Sequence, residues 1–196
     1  MQAFVTEAFF QPSGSGTRFY LLHRPAGSCP AKGSLLHVPA FAEEMNKSRH
    51  AISATARSLA CNGWWVLQHD LLGCGDSSGD FADATWTAWL EDTVAAFRWL
   101  AVRSGITPQL WGLRLGCLLA TDVIEFLAVR PSLLLWQPVL SGSVYLNQFL
   151  RLRVASNALA SAGKLVSTKE LLQSLRDGAS LSVAGYRLSP MLAPAL

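Results

Sequence analysis

The chain has 196 residues, of which 51% are hydrophobic and only 15% charged, and its formal net charge is +3. This composition fits one globular domain with a substantial core and argues against disorder, and the lack of any lysine–arginine block argues against nucleic-acid binding. With no signal peptide recognisable at the N-terminus and no apolar run of the about 18 residues that cross a membrane, we expect a cytoplasmic protein without a membrane span.

Short apolar runs separated by turn residues predict the elements in chain order. Residues 2–10 and 17–24 are expected to pair as an antiparallel hairpin. Four further strands are predicted at 33–38, 64–69, 108–112 and 132–138, with helices at 46–61, 86–104 and 117–127 between them. These strands are apolar on both faces, which is typical of a parallel sheet covered by helices on both sides. The predicted fold is therefore α/β, an open and mostly parallel sheet.

The pattern changes after the last predicted sheet strand. Residues 143–176 have helical spacing and more basic residues, which indicates a helical cap or lid, and the tail from Leu181 offers at most one weak strand. We divide the chain into a core at 1–142, a cap at 143–180 and the start of a further core segment at 181–196. Without later strand neighbours the strand at 132–138 would expose an apolar edge, so self-association through that edge is expected.

Four cysteines, Cys29, Cys61, Cys74 and Cys117, are widely separated and fit no C-x-x-C spacing. This arrangement favours small buried side chains in a reducing compartment over a metal or redox centre. Neither a metal site nor a cofactor is predicted from any other pattern in the chain.

Gly112 and Gly116 frame a turn between a predicted strand and a predicted helix, in the outline of the G-x-S-x-G nucleophile elbow. A sharp turn of this kind requires glycines because side chains there would strike the helix or a neighbouring strand. The central residue is Arg114, whose guanidinium stays protonated and cannot attack a carbonyl. No catalytic residue is therefore predicted at the elbow.

Other nucleophiles and bases are poorly placed. Cys117 lies in the following helix, Cys74 lies in a glycine-rich loop, and Ser141 and Ser143 have no evident base. The four histidines, His23, His37, His50 and His69, all precede the elbow, whereas the usual order places the histidine after the nucleophile and the acid.

Two loops support the same fold. Asp70, Gly73 and Gly75 belong to a D-x-x-G-x-G loop, where glycines allow a tight turn and the aspartate bonds the backbone. The loop after the strand at 33–38 would supply an oxyanion-hole N–H from Phe41 or Ala42, with the Leu115 N–H as the second donor. The same loop also reads as a charged helix start capped by Asn46 or Ser48, and both readings can hold together.

Four segments, PAFAEEMNKSR, DLLGCGDSSGDFADATW, LWGLRLGCLLA and AGYRLSP, together resemble the exosortase-A-system-associated hydrolases, type 2. These are bacterial proteins of α/β-hydrolase type encoded beside exopolysaccharide and protein-sorting genes, and the arginine at the elbow fits that family. The resemblance implies an esterase-like or acyltransferase-like fold without a defined substrate. Members of the family are longer, so this chain is expected to be a fragment or a truncated product that lacks the last strands.

Three functional readings remain open at this stage. The first is an ester hydrolase or acyltransferase-like enzyme linked to polysaccharide assembly. The second is a non-catalytic protein in which Arg114, at a helix N-terminus, holds a small acyl or anionic ligand. The third is a structural Arg114 paired with Glu43 or Glu44 of the loop over the elbow, because a cation at a helix N-terminus requires a nearby anion.

Overall fold

The computed structural model describes residues 3–14, 16–27, 30–159 and 166–192. Within them the helices are α1 (Glu43–Cys61), α2 (Trp86–Ser104), α3 (Gly116–Val123), α4 (Gly142–Leu159) and α5 (Thr168–Arg176). The strands are β1 (Phe4–Ser13), β2 (Gly16–Pro25), β3 (Gly33–Val38), β4 (Trp64–His69), β5 (Gln109–Leu113), β6 (Leu133–Trp136), β7 (Leu181–Val183) and β8 (Tyr186–Leu188). Cys29 and the tail beyond residue 192 lie outside the described residues.

Six strands form one sheet in the order β1-β2-β4-β3-β5-β6. The strands β4, β3, β5 and β6 are parallel, while β1 and β2 form an antiparallel hairpin at one edge. This confirms the predicted hairpin and the predicted parallel sheet. The β1–β2 hairpin alternates in burial along β1, as an edge with one solvated face does, whereas every residue of β3 is buried.

Helices cover both faces of the sheet. Leu35 and Val66 pack with Ile52 and Ala56 of α1, whereas their neighbours Leu36 and Leu67 belong to the larger core cluster on the other face. That larger cluster takes in Phe97 and Leu100 of α2 together with Leu119 and Ala120 of α3. Because successive strand residues point to opposite faces, the two clusters are two layers of core on either side of the sheet.

Helix boundaries follow the local sequence. Helix α2 begins after Thr85, whose hydroxyl accepts the Ala88 N–H, and ends at Gly105 in the left-handed region at φ 70°. Helix α1 begins at Glu43, three residues before the predicted start, and its N-cap is Ala42 without a side-chain cap. The prediction that Asn46 or Ser48 caps this helix is therefore wrong, since both lie inside its first turns.

The region after β5 differs from the prediction in two places. Strand β6 has four residues instead of seven, because Gln137 turns into the left-handed region at φ 45° and Pro138 follows. The tail contains two short strands rather than at most one, and β7 pairs with β8 across Ala184 and Gly185. Both turn residues have positive φ, 49° and 87°, as a two-residue hairpin turn of type I′ requires. The predicted helical segment is present as α4 and α5.

Candidate functional site

The backbone between β5 and α3 has the geometry of a strand-to-helix elbow. Arg114 sits at φ 54°, a conformation that non-glycine residues rarely adopt. A Cβ on Gly112 would lie 2.7 Å from the Cα of Cys117, and one on Gly116 would collide with the carbonyl oxygens of Val38 and Pro39. Both glycines are therefore required by the close approach of backbone on either side of Arg114.

The Arg114 backbone is fixed by the neighbouring strand. Its N–H donates to the Trp136 carbonyl at 3.0 Å, and its carbonyl accepts the Val139 N–H at 3.3 Å. Two hydrogen bonds thus hold the strained residue against the end of β6, so the turn does not depend on the arginine side chain. The next residue, Leu115, is buried and is the N-cap of α3.

The Arg114 side chain forms an ion pair with Glu44, one of the two carboxylates predicted for it. The Arg114 Nε lies 3.2 Å from Glu44 Oε1, and the two side chains are 32% and 39% exposed. Glu43 is exposed and instead accepts the Tyr186 hydroxyl at 3.1 Å. Glu44 is brought here by the first turn of α1, which begins directly beside the elbow.

Tyr145 of α4 completes this group, which we call the elbow network (Arg114, Glu44 and Tyr145). Its hydroxyl donates to Glu44 Oε2 at 2.8 Å, and the Arg114 Cζ lies 6.0 Å from its ring centre. Burial, together with the bond to Glu44, raises the pKa of Tyr145. The tyrosine therefore stays a hydrogen-bond donor at neutral pH. Sequence reasoning missed Tyr145 because 101 residues separate it from Glu44.

A pocket of about 320 Å³ opens beside the elbow network. It is lined by Arg114 and Tyr145 of that network and by Ser141, with apolar walls from Val139, Leu140 and Val144. One Arg114 Nη1–H reaches the Gln137 carbonyl at 3.4 Å, and Nη2 has no protein partner within the described ranges. The pocket thus presents hydrogen-bond donors of a permanent cation next to apolar surface.

The loop predicted to form an oxyanion hole lies beside the elbow. Ala42 has φ 50° and ψ −126°, and both Phe41 and Ala42 are buried. Phe41 contacts the aromatic rings of Tyr145 and Phe149 at centroid distances of 5.9 and 5.1 Å, which places α4 over this loop. Helix α4 therefore packs against the loop in which Phe41 or Ala42 was predicted to supply one backbone donor, with the Leu115 N–H as the second.

The surroundings of the remaining candidate nucleophiles do not favour nucleophilic attack. The Cys74 thiol is buried, and burial raises its pKa to about 12, while burial also raises the pKa of the Cys117 thiol. The Ser141 and Ser143 hydroxyls bond each other at 2.9 Å. Neither serine has a histidine or carboxylate partner among the described contacts.

Asp70 and its glycines serve the loop after β4. Its carboxylate accepts Arg49 Nη2–H at 2.9 Å and the Asp76 N–H at 3.0 Å, and its carbonyl accepts the Ser77 hydroxyl. A Cβ on Gly73 would collide with the Asp80 carbonyl, and one on Gly75 would collide with Asp70 and Arg49. These contacts give the motif a structural role.

A buried polar group crosses the core away from the elbow and was not predicted. Arg18 Nε lies 2.7 Å from Asp92 Oδ1 with both side chains almost fully buried, and Asp92 Oδ2 accepts the Leu72 N–H at 2.8 Å. The Thr93 hydroxyl lies 3.4 Å from the buried His69 Nε2. We call Arg18, Asp92, His69 and Thr93 the interior network. The local sequence pattern does not reveal this pair, because Arg18 lies in β2 and Asp92 lies in α2.

Comparisons with known proteins support the fold. The chain resembles Est1E from Butyrivibrio proteoclasticus, solved with ferulic acid, at a TM-score of 0.72 and 17% identity, covering 96% of this chain and 70% of that one. It also resembles the thioesterase domain from the curacin biosynthetic pathway at a TM-score of 0.53 and 17% identity, covering 95% and 69% of the two chains. Together with the sheet order and the elbow, these likenesses establish the α/β-hydrolase fold.

The sequence comparison matches a smaller part of the chain than the structural comparison does. Human Protein ABHD12B is 39% identical over 70 residues, a stretch that spans 35% of this chain and 18% of that protein. No protein-family model matches the chain. Among the described helices, none combines the length and the apolar character that crossing a membrane demands.

Proposed function

We propose that this α/β-hydrolase-fold protein binds a small carboxylate-bearing acyl ligand at the elbow through Arg114 and does not hydrolyse esters through an elbow nucleophile. The observation that carries the proposal is the position of Arg114: it occupies the centre of the elbow and lines the adjoining pocket. A guanidinium recognises carboxylates and phosphates through paired N–H donors, and it cannot serve as a nucleophile.

The Arg114–Glu44 pair is suited to exchange with a ligand. Both side chains are about one third exposed, and pairs of this exposure contribute about 0–1 kcal/mol. A ligand carboxylate can therefore share or take over the guanidinium at small cost. Glu44 would not be left without a partner, since it keeps the hydrogen bond from Tyr145. Among the described residues, Arg114 Nη2 has no hydrogen-bond partner, so it can donate to a ligand even when Glu44 stays bound to Nε.

The pocket walls match an acyl chain. Val139, Leu140 and Val144 provide apolar surface next to the cation, and the side chains of Leu140 and Val144 are exposed. A short fatty acid presents the same order of groups, a carboxylate followed by methylenes. Helix α4 contributes Val144 and Tyr145, which supports treating residues 143–180 as a cap over the core.

Titration calorimetry with acetate, butyrate, octanoate and inorganic phosphate tests the proposal. We expect affinity to rise with chain length, and Arg114→Ala to weaken carboxylate binding by about tenfold to a hundredfold, as the loss of a charge-assisted hydrogen bond predicts. Arg98→Ala, which removes an arginine on α2, is the matched control and should bind like the parent. Equal affinity in Arg114→Ala and the parent would overturn the proposal.

A second candidate is an ester hydrolase or acyltransferase-like activity in the bacterial cytoplasm, associated with exopolysaccharide and exosortase systems. It is favoured by the four motifs that resemble the exosortase-associated hydrolases and by the buried loop at Phe41 and Ala42 beside Leu115. We expect no serine-hydrolase turnover from this chain, because Arg114 replaces the nucleophile. Stoichiometric labelling by a fluorophosphonate probe, or turnover of a nitrophenyl ester panel that Arg114→Ala abolishes, would favour this candidate instead.

We also propose that two copies of this chain associate through β6. Leu133, Leu134 and Leu135 are 36–41% exposed, and among the described strands only β5 pairs with β6. Exposed apolar strand edges are templates for pairing with another chain. Sedimentation velocity should show self-association that Leu134→Lys reduces, and a monomer at all concentrations would contradict it.

A further inference from the structure

Helix α2 carries an exposed stripe on the side that does not pack into the core. Spacings of three and four residues place five exposed residues on this side of the helix: Thr87, Glu91, Ala95, Arg98 and Val102. We call these five residues the α2 stripe. The proposed elbow function uses none of them, since none lines the elbow pocket.

An apolar groove of about 390 Å³ runs along the α2 stripe. Four residues of the stripe line this groove together with Leu90, Val94 and Phe126. The side chain of Phe126 is 56% exposed and that of Val102 is 86% exposed. An Arg98 Nη2–H donates to the Phe126 carbonyl at 3.4 Å, which holds Phe126 beside this end of the stripe. The groove therefore offers exposed apolar surface next to one acidic and one basic side chain.

The two charges of the α2 stripe are not paired within the chain. Glu91 and Arg98 are separated by two helical turns, about 10 Å along the helix axis, so they do not reach each other. Neither forms an ion pair with another of the described residues. Both charges are exposed and can pair with a partner that presents the opposite charges at the same separation.

A second copy of α2 presents those charges when it runs antiparallel. A two-fold axis that passes between positions 94 and 95 sets residue 91 of one copy opposite residue 98 of the other, and residue 87 opposite residue 102. Glu91 then faces Arg98 twice, and Thr87 faces Val102 twice. A parallel pair would instead set Glu91 against Glu91 and Arg98 against Arg98, which is repulsive. The charges therefore select the antiparallel arrangement.

The centre of the α2 stripe allows a close approach. Ala95 lies next to the proposed axis, and its small side chain lets two helices pack near the lower end of the usual 8–10 Å separation between helix axes. The apolar side chains of Val102 and Phe126 would then lie against the partner instead of facing water. Burial of these side chains supplies an attractive contribution that the exposed charge pairs alone do not.

We propose that the α2 stripe is an interface between two copies of this chain, which pair through antiparallel α2 helices around Ala95. The contact is small, so the dimer is weak, with a Kd in the micromolar range, and it dissociates further as salt screens the charge pairs. It is separate from the contact proposed for β6, because β6 is an edge strand of the sheet whereas α2 packs on β3, β4 and α3.

Charge reversal measured by sedimentation velocity tests this interface on the full chain. All samples carry Leu134→Lys, which suppresses association through β6. We expect a reversible dimer in this background. Arg98→Glu and Glu91→Arg should each raise the Kd by about tenfold to hundredfold, because each turns both attractive pairs into repulsive ones. Arg151→Glu changes an exposed arginine on α4 by the same charge and should leave the Kd unchanged.

The mixture of the two single variants is the decisive sample. One copy with Glu at both positions and one with Arg at both restore two attractive pairs, so an equimolar mixture should form a heterodimer with nearly the parent Kd. The double variant Glu91→Arg with Arg98→Glu should likewise dimerise with itself. Three results would overturn the proposal: a monomer at all concentrations before charge reversal, a Kd unaffected by Arg98→Glu, or no recovery in the mixture. Thermal melts establish that each variant is folded.

Discussion

The interior network and the elbow network each join an arginine to a carboxylate, yet their surroundings differ. Arg18 and Asp92 are 2.7 Å apart with side chains 4% and 3% exposed, whereas Arg114 and Glu44 are 3.2 Å apart and about one third exposed. In the interior, each charge depends on the other because water cannot replace a lost partner. At the elbow, water or a ligand can replace either partner of the Arg114–Glu44 ion pair. The same pair of residue types is thus structural in one place and exchangeable in the other.

The largest expected effect is the loss of the interior carboxylate. Asp92→Ala should lower the free energy of unfolding by about 3–5 kcal/mol, because the buried Arg18 loses the carboxylate that compensates its charge. The Leu72 N–H also loses its acceptor. Urea unfolding measures the change. Arg18→Met combined with Asp92→Leu removes both charges and should recover most of the loss, and a single Asp92→Ala variant as stable as the parent would contradict the comparison.

Acid should weaken the interior network next. Burial lowers the pKa of His69 to about 4; the bond to the His37 carbonyl opposes this shift, and the nearby Arg18 adds a smaller lowering. The unfolded chain therefore binds more protons than the folded one between pH 6.5 and about 4. His69 should contribute about 2–3 kcal/mol to the fall in stability as the pH drops through this range, and little above it; His23 and His37, whose pKa burial lowers to about 4 and about 3, add to the same slope. His69→Gln should reduce that slope in urea midpoints measured across pH without abolishing it, and an unchanged slope would refute the assignment.

The elbow backbone should be more sensitive than the elbow side chain. Gly116→Ala places a methyl group against the Val38 and Pro39 carbonyls, and we expect it to lower the free energy of unfolding by about 1–3 kcal/mol. Gly105→Ala is a useful comparison because a Cβ there meets open space and only the positive φ opposes it. Thermal melts of both variants measure the difference, and a fully stable Gly116→Ala protein would show that the elbow can open.

The smallest effect is expected from the Arg114–Glu44 pair. Arg114→Ala, Glu44→Gln and the double variant form a cycle whose coupling should stay below about 1 kcal/mol. Added salt should reduce that coupling, because exposed charges are screened. A coupling of several kcal/mol, insensitive to salt, would move this pair into the structural class occupied by Arg18 and Asp92.

The sheet could be predicted from the sequence because most of its strands are short apolar runs separated by segments rich in turn residues. The elbow could be located because Gly112 and Gly116 flank Arg114 at the spacing of the motif, where close backbone contacts require glycine. Pairing of Arg114 with Glu44 followed from electrostatics once the fold placed α1 beside the elbow. Each of these predictions rests on neighbours in sequence or on a turn whose geometry has few solutions.

Tyr145, Asp92 and the β7–β8 hairpin could not be found in the same way. Tyr145 reaches Glu44 only through the placement of α4, and Asp92 of α2 meets Arg18 of β2 across the core. The hairpin turns on Ala184 and Gly185, which lack the asparagine or aspartate that usually marks such a turn. Contacts between distant segments depend on packing angles that a local pattern does not encode.

At Arg114, the chemistry of the side chain can change independently of the strained backbone turn. Its backbone bonds to Trp136 and Val139 hold the turn, and its flanking glycines satisfy the close contacts, so none of these depends on the side chain at 114. A single codon change at this position can therefore replace one chemistry by another while the scaffold persists. In evolutionary terms, a substitution at the elbow of this protein can remove an activity or create a ligand-binding site without unfolding the protein.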